Sequence, residues 1–419
     1  MTQTGNVLGA LDSGLDKKPD RLSDQRLDIS FDQGLTSKMM QRIRPKSENR
    51  PEKIHALTSL RFFAALLVVF YHTLWTAIPS LTHASILGRM LSLGFLSVSF
   101  FFLLSGYILG AVYLRGERPV RKSSFYAARF ARIYPLFFLT LVVDTPTLLT
   151  ERIAHYGWHS AVIKTTVTFF ANIVMLQAWI PNLRGIDNPN WSLSVETIFY
   201  LLFPFIGIWI WKLSGRKVWI VATTIWVASQ LFTYLAAPHL PTAVIELNPL
   251  IHLPTFALGI FVARWQSIHR EHRKSAANES REVALALLFA LIGIVAVVHW
   301  FPHLSIDTLG NGMMVPIFAC LIWAFSANRI LPAKILSAKW MVVLGEASFG
   351  LYLIHIPAYH LFEALQWQKI PALYPVYLGA SIGLSVVSFY WIETPSRKWI
   401  LNRLQARSKE TMEVASDAQ

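Results

Sequence analysis

Residues Leu60–Trp75 read LRFFAALLVVFYHTLW. The stretch is apolar enough for a bilayer-spanning helix, yet it holds Arg61 near one end and His72 well inside. Ionisable groups are costly in hydrocarbon and mark pathways and sites when they occur there. Arg61 and His72 are eleven residues apart. Eleven steps of about 100° return to within about 20° of the start, so both side chains fall on one helix face, roughly 16 Å apart along the axis. Taken singly, Arg61 reads equally as a snorkelling membrane-end arginine and His72 as an interhelical hydrogen bond. As a pair on one face they point to a functional pathway.

The rest of the chain extends this reading. Of 419 residues, 54% are hydrophobic and only 15% charged, with a mean hydropathy of +0.43. A soluble domain carries about a quarter charged residues. Apolar segments fall at 57–79, 88–114, 132–149, 161–180, 191–212, 218–237, 249–266, 282–301, 312–328, 341–364 and 373–393. Many have the roughly 17–25 residues that a spanning helix needs. The expected fold is therefore an all-α polytopic membrane protein. The net charge of +14 is explained by basic loops on one side of a membrane rather than by nucleic acid. Residues 1–52 are polar, lack a signal-peptide core and read as a disordered cytoplasmic tail, and 401–419 as a second one. The single cysteine, Cys320, excludes an intramolecular disulfide.

Basic loops orient the spans. RGERPVRKSSFYAARFAR, KLSGRK, RWQSIHREHRKSAANESR, NRILPAKILSAK and SRKWILNRLQAR belong together inside, whereas APHLPTAVIELNP and FPHLSIDTLGN carry no Lys or Arg and belong outside. These assignments agree only if 161–180, which holds Lys164, Asn172 and Gln177, does not cross. We therefore expect ten spanning helices, both termini inside, and a re-entrant or interfacial segment at 161–180. Arg61 then sits at the cytoplasmic surface and His72 past the bilayer middle.

Further motifs carry chemistry. In FYAARFARIYP, Arg129 and Arg132 share one helix face, and two guanidinium forks with Tyr134 suit phosphate oxygens. In NPNWSLSVETIFYLLFP, Asn190, Trp191 and Ser192 mark the outer end of a helix. Glu196 would lie some 7–8 Å below that end, at the depth of His72, whose imidazole it could orient. Ser97, Ser99, Ser105 and Gly106 read as packing positions. In GEASFGLYLIHIPAYH, His355 reads as a structural or supporting residue, and Glu393 as a partner for Arg397. His303 and Asp307, in an outer loop, are discounted, and His269 and His272 read as solvated. There is no P-loop, no H-E-x-x-H and no cluster arguing for a metal.

LTSLRFFAALLVVFYH, FFLLSGYILG, RFARIYP, NWSLSVETIFYLLFP, SFGLYLIHIP and ETPSRK together resemble the membrane acyltransferase-3 family, over about 55 to 400. The resemblance implies an enzyme of the bacterial inner membrane that moves acyl groups, most often acetyl, from cytoplasmic acyl-CoA to surface or exported glycans. It implies a stand-alone member, since nothing after about 400 would form the fused SGNH domain of some relatives. The family's R-x10-H motif maps onto Arg61 and His72, its histidine being the catalytic group and its arginine a contact to acyl-CoA. The R-x-x-R segment maps onto Arg129 and Arg132, and W-S-L-x-x-E onto Trp191, Ser192 and Glu196.

The resulting expectation places the membrane domain at 53–400. His72 and Glu196 are its catalytic residues. Arg61, Arg129, Arg132 and Tyr134 hold acyl-CoA, and Asn190, Trp191 and Ser192 hold the acceptor. No metal and no permanently bound cofactor are expected, acyl-CoA being a donor substrate. The partners are acyl-CoA, a glycan, the bilayer and polysaccharide assembly machinery. His72 acts either as general base or as an acyl carrier. The competing class is a transporter or flippase for a lipid-linked glycan, for which internal repeats would be expected and none is evident.

Overall fold

The computed structural model describes residues 55–78, 85–115, 120–183, 185–186, 188–271, 276–327 and 330–417. The expected N-terminal tail, 1–52, and His272 lie outside them. Among the described residues there is no strand. The principal helices are α1 (His55–Ala77), α2 (Leu96–Tyr113), α3 (Lys122–Tyr156), α4 (Trp158–Ile173), α5 (Trp191–Trp211), α6 (Arg216–Ala236), α7 (Pro249–Glu271), α8 (Ala276–Trp300), α9 (Val315–Ser326), α10 (Lys339–Ala364), α11 (Tyr374–Ser388) and α12 (Thr394–Asp417). Nine described helical segments are long and apolar enough to cross a bilayer, and a tenth is the bent pair Ile306–Met313 plus Val315–Ser326, broken by 41°. Apolar side chains such as Ile220, Leu231 and Phe232 on α6 and Leu285, Phe289 and Ile292 on α8 point away from the protein interior, as lipid-facing residues must. The protein is a multi-pass α-helical membrane protein.

Two close crossings build the bundle. A Cβ on Gly106 would collide with the Phe256 carbonyl, and one on Gly259 with the Leu103 carbonyl, so α2 and α7 meet backbone to backbone. Small residues drive such approaches where lipid offers no hydrophobic gain for association. Gly345 of α10 meets the backbone of Thr58 on α1 in the same way. Around these contacts lies a buried aromatic core of Tyr107, Phe199, Phe203 and Phe256, with Phe199 stacked on Phe256 at 4.7 Å. Tyr107 donates to Gln266 Oε1 at 2.5 Å, and Gln266 donates to Ser326 at 2.6 Å, which satisfies the polar groups inside the core.

Gly207 of α5 abuts Leu114 beyond α2. Arg264 of α7 caps the Leu213 carbonyl after α5 at 3.0 Å, and Ser59 of α1 bonds the Leu336 carbonyl before α10 at 2.6 Å. These contacts gather the helix ends bearing Arg115, Lys122, Lys212, Arg216, Arg270 and Lys339 at one end of the bundle, called here the basic end.

The segment expected at 161–180 differs from every span. Gly157, at φ +72°, reverses the chain after α3, and α4 runs back alongside α3 for 16 residues. Its C-terminal carbonyl at Ile173 accepts from Tyr134 at 3.3 Å, and Tyr134 lies some 33 Å down α3 from Tyr156 at 1.5 Å per residue. The chain then turns at Met175, also at positive φ. Gln177 donates to the Asn190 carbonyl at 3.1 Å, and Ser194 donates to the Met175 carbonyl. Helix α4 thus dips and returns, and α5 starts deep in the protein rather than at its surface.

Other boundaries shift. The expected 132–149 span is part of the 35-residue α3, whose first turns carry Arg129 and Arg132 on the shared helix face expected from the sequence. The expected 312–328 span begins in the irregular turn Leu309–Met313. The C-terminal segment, expected as a tail from 401, continues as helix to Asp417.

Candidate active site

Three arginines line one cavity. Arg61 comes from α1, and Arg129 and Arg132 lie one turn apart on α3. The Arg129 guanidinium sits 5.8, 5.9 and 5.7 Å from the ring centres of Tyr113, Phe125 and Tyr200, within cation–π range. Its Nη2 donates to Tyr113 at 3.4 Å, while its buried Nε has no partner among the described residues. One carboxylate lines the same cavity, that of Glu196, which accepts from Ser105 at 3.1 Å and from Tyr200, while Glu346 and Glu393 share a neighbouring small cavity with Arg132. Among the residues lining this arginine cavity three guanidiniums outnumber one carboxylate, and with Phe101, Leu104 and Ile108 as apolar walls it suits an anionic ligand.

A second cavity adjoins it on the side away from the basic end. Tyr71, His72, Trp191, Glu246, His252, Asp307 and Asn311 are among its lining residues, and it shares Val98 and Tyr352 with the arginine cavity. His72 Nδ1 lies 3.2 Å from His355 Nε2, the two rings meeting edge to edge with centres 5.3 Å apart and planes inclined by 26°. His355 is fully buried. Its Nδ1 reaches the carbonyl oxygens of Tyr352 at 2.8 Å and Leu351 at 3.2 Å, and its own carbonyl accepts from Tyr377 at 3.0 Å. The Tyr352 hydroxyl bonds Ser192 at 2.7 Å and the Pro189 carbonyl at 3.0 Å, tying the wall between the cavities to the start of α5. The His252 ring packs 5.4 Å from that of Trp191 and its Nε2 donates to the Glu246 carbonyl at 2.7 Å.

Arg61 and His72 therefore share a helix face and open into two adjoining cavities, and Arg129 and Arg132 join Arg61. Trp191 lines the histidine cavity and Ser192 the arginine cavity. Glu196 departs from expectation. It sits among the arginines and bonds Ser105 and Tyr200, not His72. The expected depth match assumed that α5 starts at the membrane surface. The re-entrant α4 sinks that start, so Trp191 takes the level of His72 and Glu196 drops to the level of Arg132. His72 is instead bonded to His355.

Tyr134 also departs. Two residues past Arg132 is about 200° around the helix, so its ring turns to Phe130 and Phe138 and its hydroxyl to α4. Asn190 is buried behind the cavities, donating to the Ile186 carbonyl at 3.4 Å. Ser105, read as packing, contacts Glu196. Glu393 accepts from Ser388 at 3.4 Å and closes no ion pair with Arg397; both line a small polar cavity with Arg132 and Glu346. His269 is not simply solvated but bonds Glu282 at 2.9 Å. Asp307, discounted in sequence, lines the histidine cavity, as do Glu246 and His252, which sequence reasoning missed. The absence of Lys and Arg from the two outer segments that hold Glu246 and Asp307 was the available signal, but nothing local shows that these segments reach the cavity of His72.

The fold and site define a multi-pass membrane protein in which an arginine-lined cavity adjoins a histidine-lined one. Residues 54–390 match the family model described as Acyltransferase domain, and the chain belongs to this acyltransferase-3 family. It is similar to acyltransferase MdmB of Streptomyces mycarofaciens, 29% identical over 328 residues, covering 73% of this chain and 79% of the relative. It is similar to nodulation protein 10 of Rhizobium leguminosarum bv. viciae, 25% identical over 371 residues, covering 84% and 96%. It is similar to O-acetyltransferase OatA of Staphylococcus aureus, 25% identical over 375 residues, covering 83% of this chain and 58% of the relative. No solved structure matches it significantly. The transporter reading gains no support, since the family and two of these relatives are named for acyl transfer.

Proposed function

We propose that this acyltransferase takes an acyl group, acetyl by preference, from cytoplasmic acyl-CoA and places it on a hydroxyl of a surface or exported glycan, working in the cytoplasmic membrane with the basic end inside. The observation that carries this reading is the junction of the two cavities at Val98 and Tyr352. Acyl-CoA is anionic at one end and reactive at the other. Its phosphates would lie against Arg61, Arg129 and Arg132, and the pantetheine arm would carry the thioester past Tyr352 to His72. Roughly 16 Å of α1 separates the two residues.

The acceptor would enter the histidine cavity, where Trp191 offers an aromatic face and Glu246 and Asp307 offer acceptors for sugar hydroxyls. His72 takes the proton from the attacking hydroxyl as its oxygen bonds the thioester carbon. The carbon–sulfur bond then breaks, and the proton passes to the departing thiolate. The acceptor would be delivered by polysaccharide assembly machinery, and bilayer lipid surrounds the whole. Mass spectrometry of surface glycans tests the reading. A deletion strain should lack one O-acyl modification that the intact gene restores; an unchanged acyl pattern would remove it.

A further inference from the structure

We propose that His355 is a positioning residue that fixes the tautomer of His72, so that Nε2 of His72 is the nitrogen that accepts the acceptor's proton. The inference rests on His72 being the acyl-transfer base and adds how that base is prepared. His355 is fully buried. Its Nδ1 faces two carbonyl oxygens, at 2.8 Å to Tyr352 and 3.2 Å to Leu351. A carbonyl only accepts, so that nitrogen must carry the hydrogen. Burial with no carboxylate bonded to it among the described residues disfavours a charged ring, which leaves Nε2 of a neutral His355 with a lone pair. The atom facing that lone pair is Nδ1 of His72, at 3.2 Å. A bond between the two nitrogens requires His72 to donate from Nδ1. The hydrogen of neutral His72 is thereby committed, and Nε2 is left as its acceptor.

The arrangement uses the backbone of α10 as the fixed end of a relay: carbonyl, His355, His72. It does for this imidazole what a buried carboxylate does in other acyl-transfer sites. When His72 takes a proton on Nε2, the positive charge is met by the lone pair of His355, with no further proton movement required. The Gly345–Thr58 crossing sets the register that brings the two rings together.

The test pairs spectroscopy with kinetics, using the full chain in lipid nanodiscs and membranes. In wild-type protein with 15N-labelled histidine, assigned by loss of signal in His72→Ala, His72 should show a protonated Nδ1 and an unprotonated Nε2. His355→Leu should scramble that tautomer and lower the rate of [14C]acetyl transfer from acetyl-CoA to the membrane glycan fraction by about 100-fold or more, the usual worth of a positioned base, while leaving the KM for acetyl-CoA unchanged. His355→Gln keeps an acceptor near the position of Nε2 and should rescue most of that rate. A wild-type His72 protonated at Nε2, or full transfer by His355→Leu, would overturn the proposal. The tautomer is read without turnover, so an active His72→Ala would instead sink the catalytic role of His72.

Discussion

At the scale of single residues, the proposed reading divides labour between the arginines and His72. Each of Arg61, Arg129 and Arg132 faces a shared cavity, and a hydrogen bond between charged groups is worth about 1.5–3 kcal/mol. Arg132→Gln should therefore raise the KM for acetyl-CoA by about 10- to 100-fold, with a much smaller fall in kcat, as initial-rate measurements over a donor series would show. Glu196→Gln should change the donor KM and leave the acceptor KM as it was, because Glu196 lies among the arginines; a change confined to the acceptor would return it to the side of His72. The R-x10-H pair was legible in sequence because both residues belong to one helix, where spacing alone sets the face. The assignment of Glu196 failed because depth in a membrane depends on where the helix starts, and that was set by a neighbouring segment. His355 was visible as a buried histidine, but its partner lies 283 residues away, and no periodicity reports a register between helices.

At the scale of elements, the fold rests on glycine crossings. The α2–α7 contact has Gly106 and Gly259 facing each other's partner backbone, so any side chain there must push two helices apart. Gly259→Val should lower stability by about 1–3 kcal/mol, the usual cost of overpacking, and circular-dichroism melting in detergent would register it as a lower Tm. Gly379, whose added Cβ would meet nothing nearby, is the control, and Gly379→Ala should leave the Tm unchanged. The spans were legible because continuous apolar runs need no partner to be recognised. The dip at α4 was legible only through charge bookkeeping of the loops. Its depth was not, because it depends on Gly157 and Met175 reversing the chain and on hydrogen bonds from Asn172, Gln177 and Ser194 that seal the returning strand of chain inside the protein.

At the scale of the whole molecule, orientation decides which substrate meets which cavity. On the proposed reading, with the basic end inside, the arginine cavity would face the cytoplasmic pool of acyl-CoA and the histidine cavity would face outward. The single native cysteine, Cys320, makes this testable. In a Cys320→Ala background, His303→Cys should react with a membrane-impermeant maleimide on intact cells, and Lys217→Cys only after permeabilisation; the reverse pattern would invert the account. The most direct test of the central claim, that acyl transfer occurs at His72 in the histidine cavity, uses membranes from producing cells supplied with [14C]acetyl-CoA. Base-labile label entering the glycan fraction is compared for wild type and His72→Ala, alongside acetyl-CoA binding by each purified protein. The account predicts that His72→Ala binds acetyl-CoA as tightly as wild type and transfers none of it. Transfer by His72→Ala at the wild-type rate would contradict it.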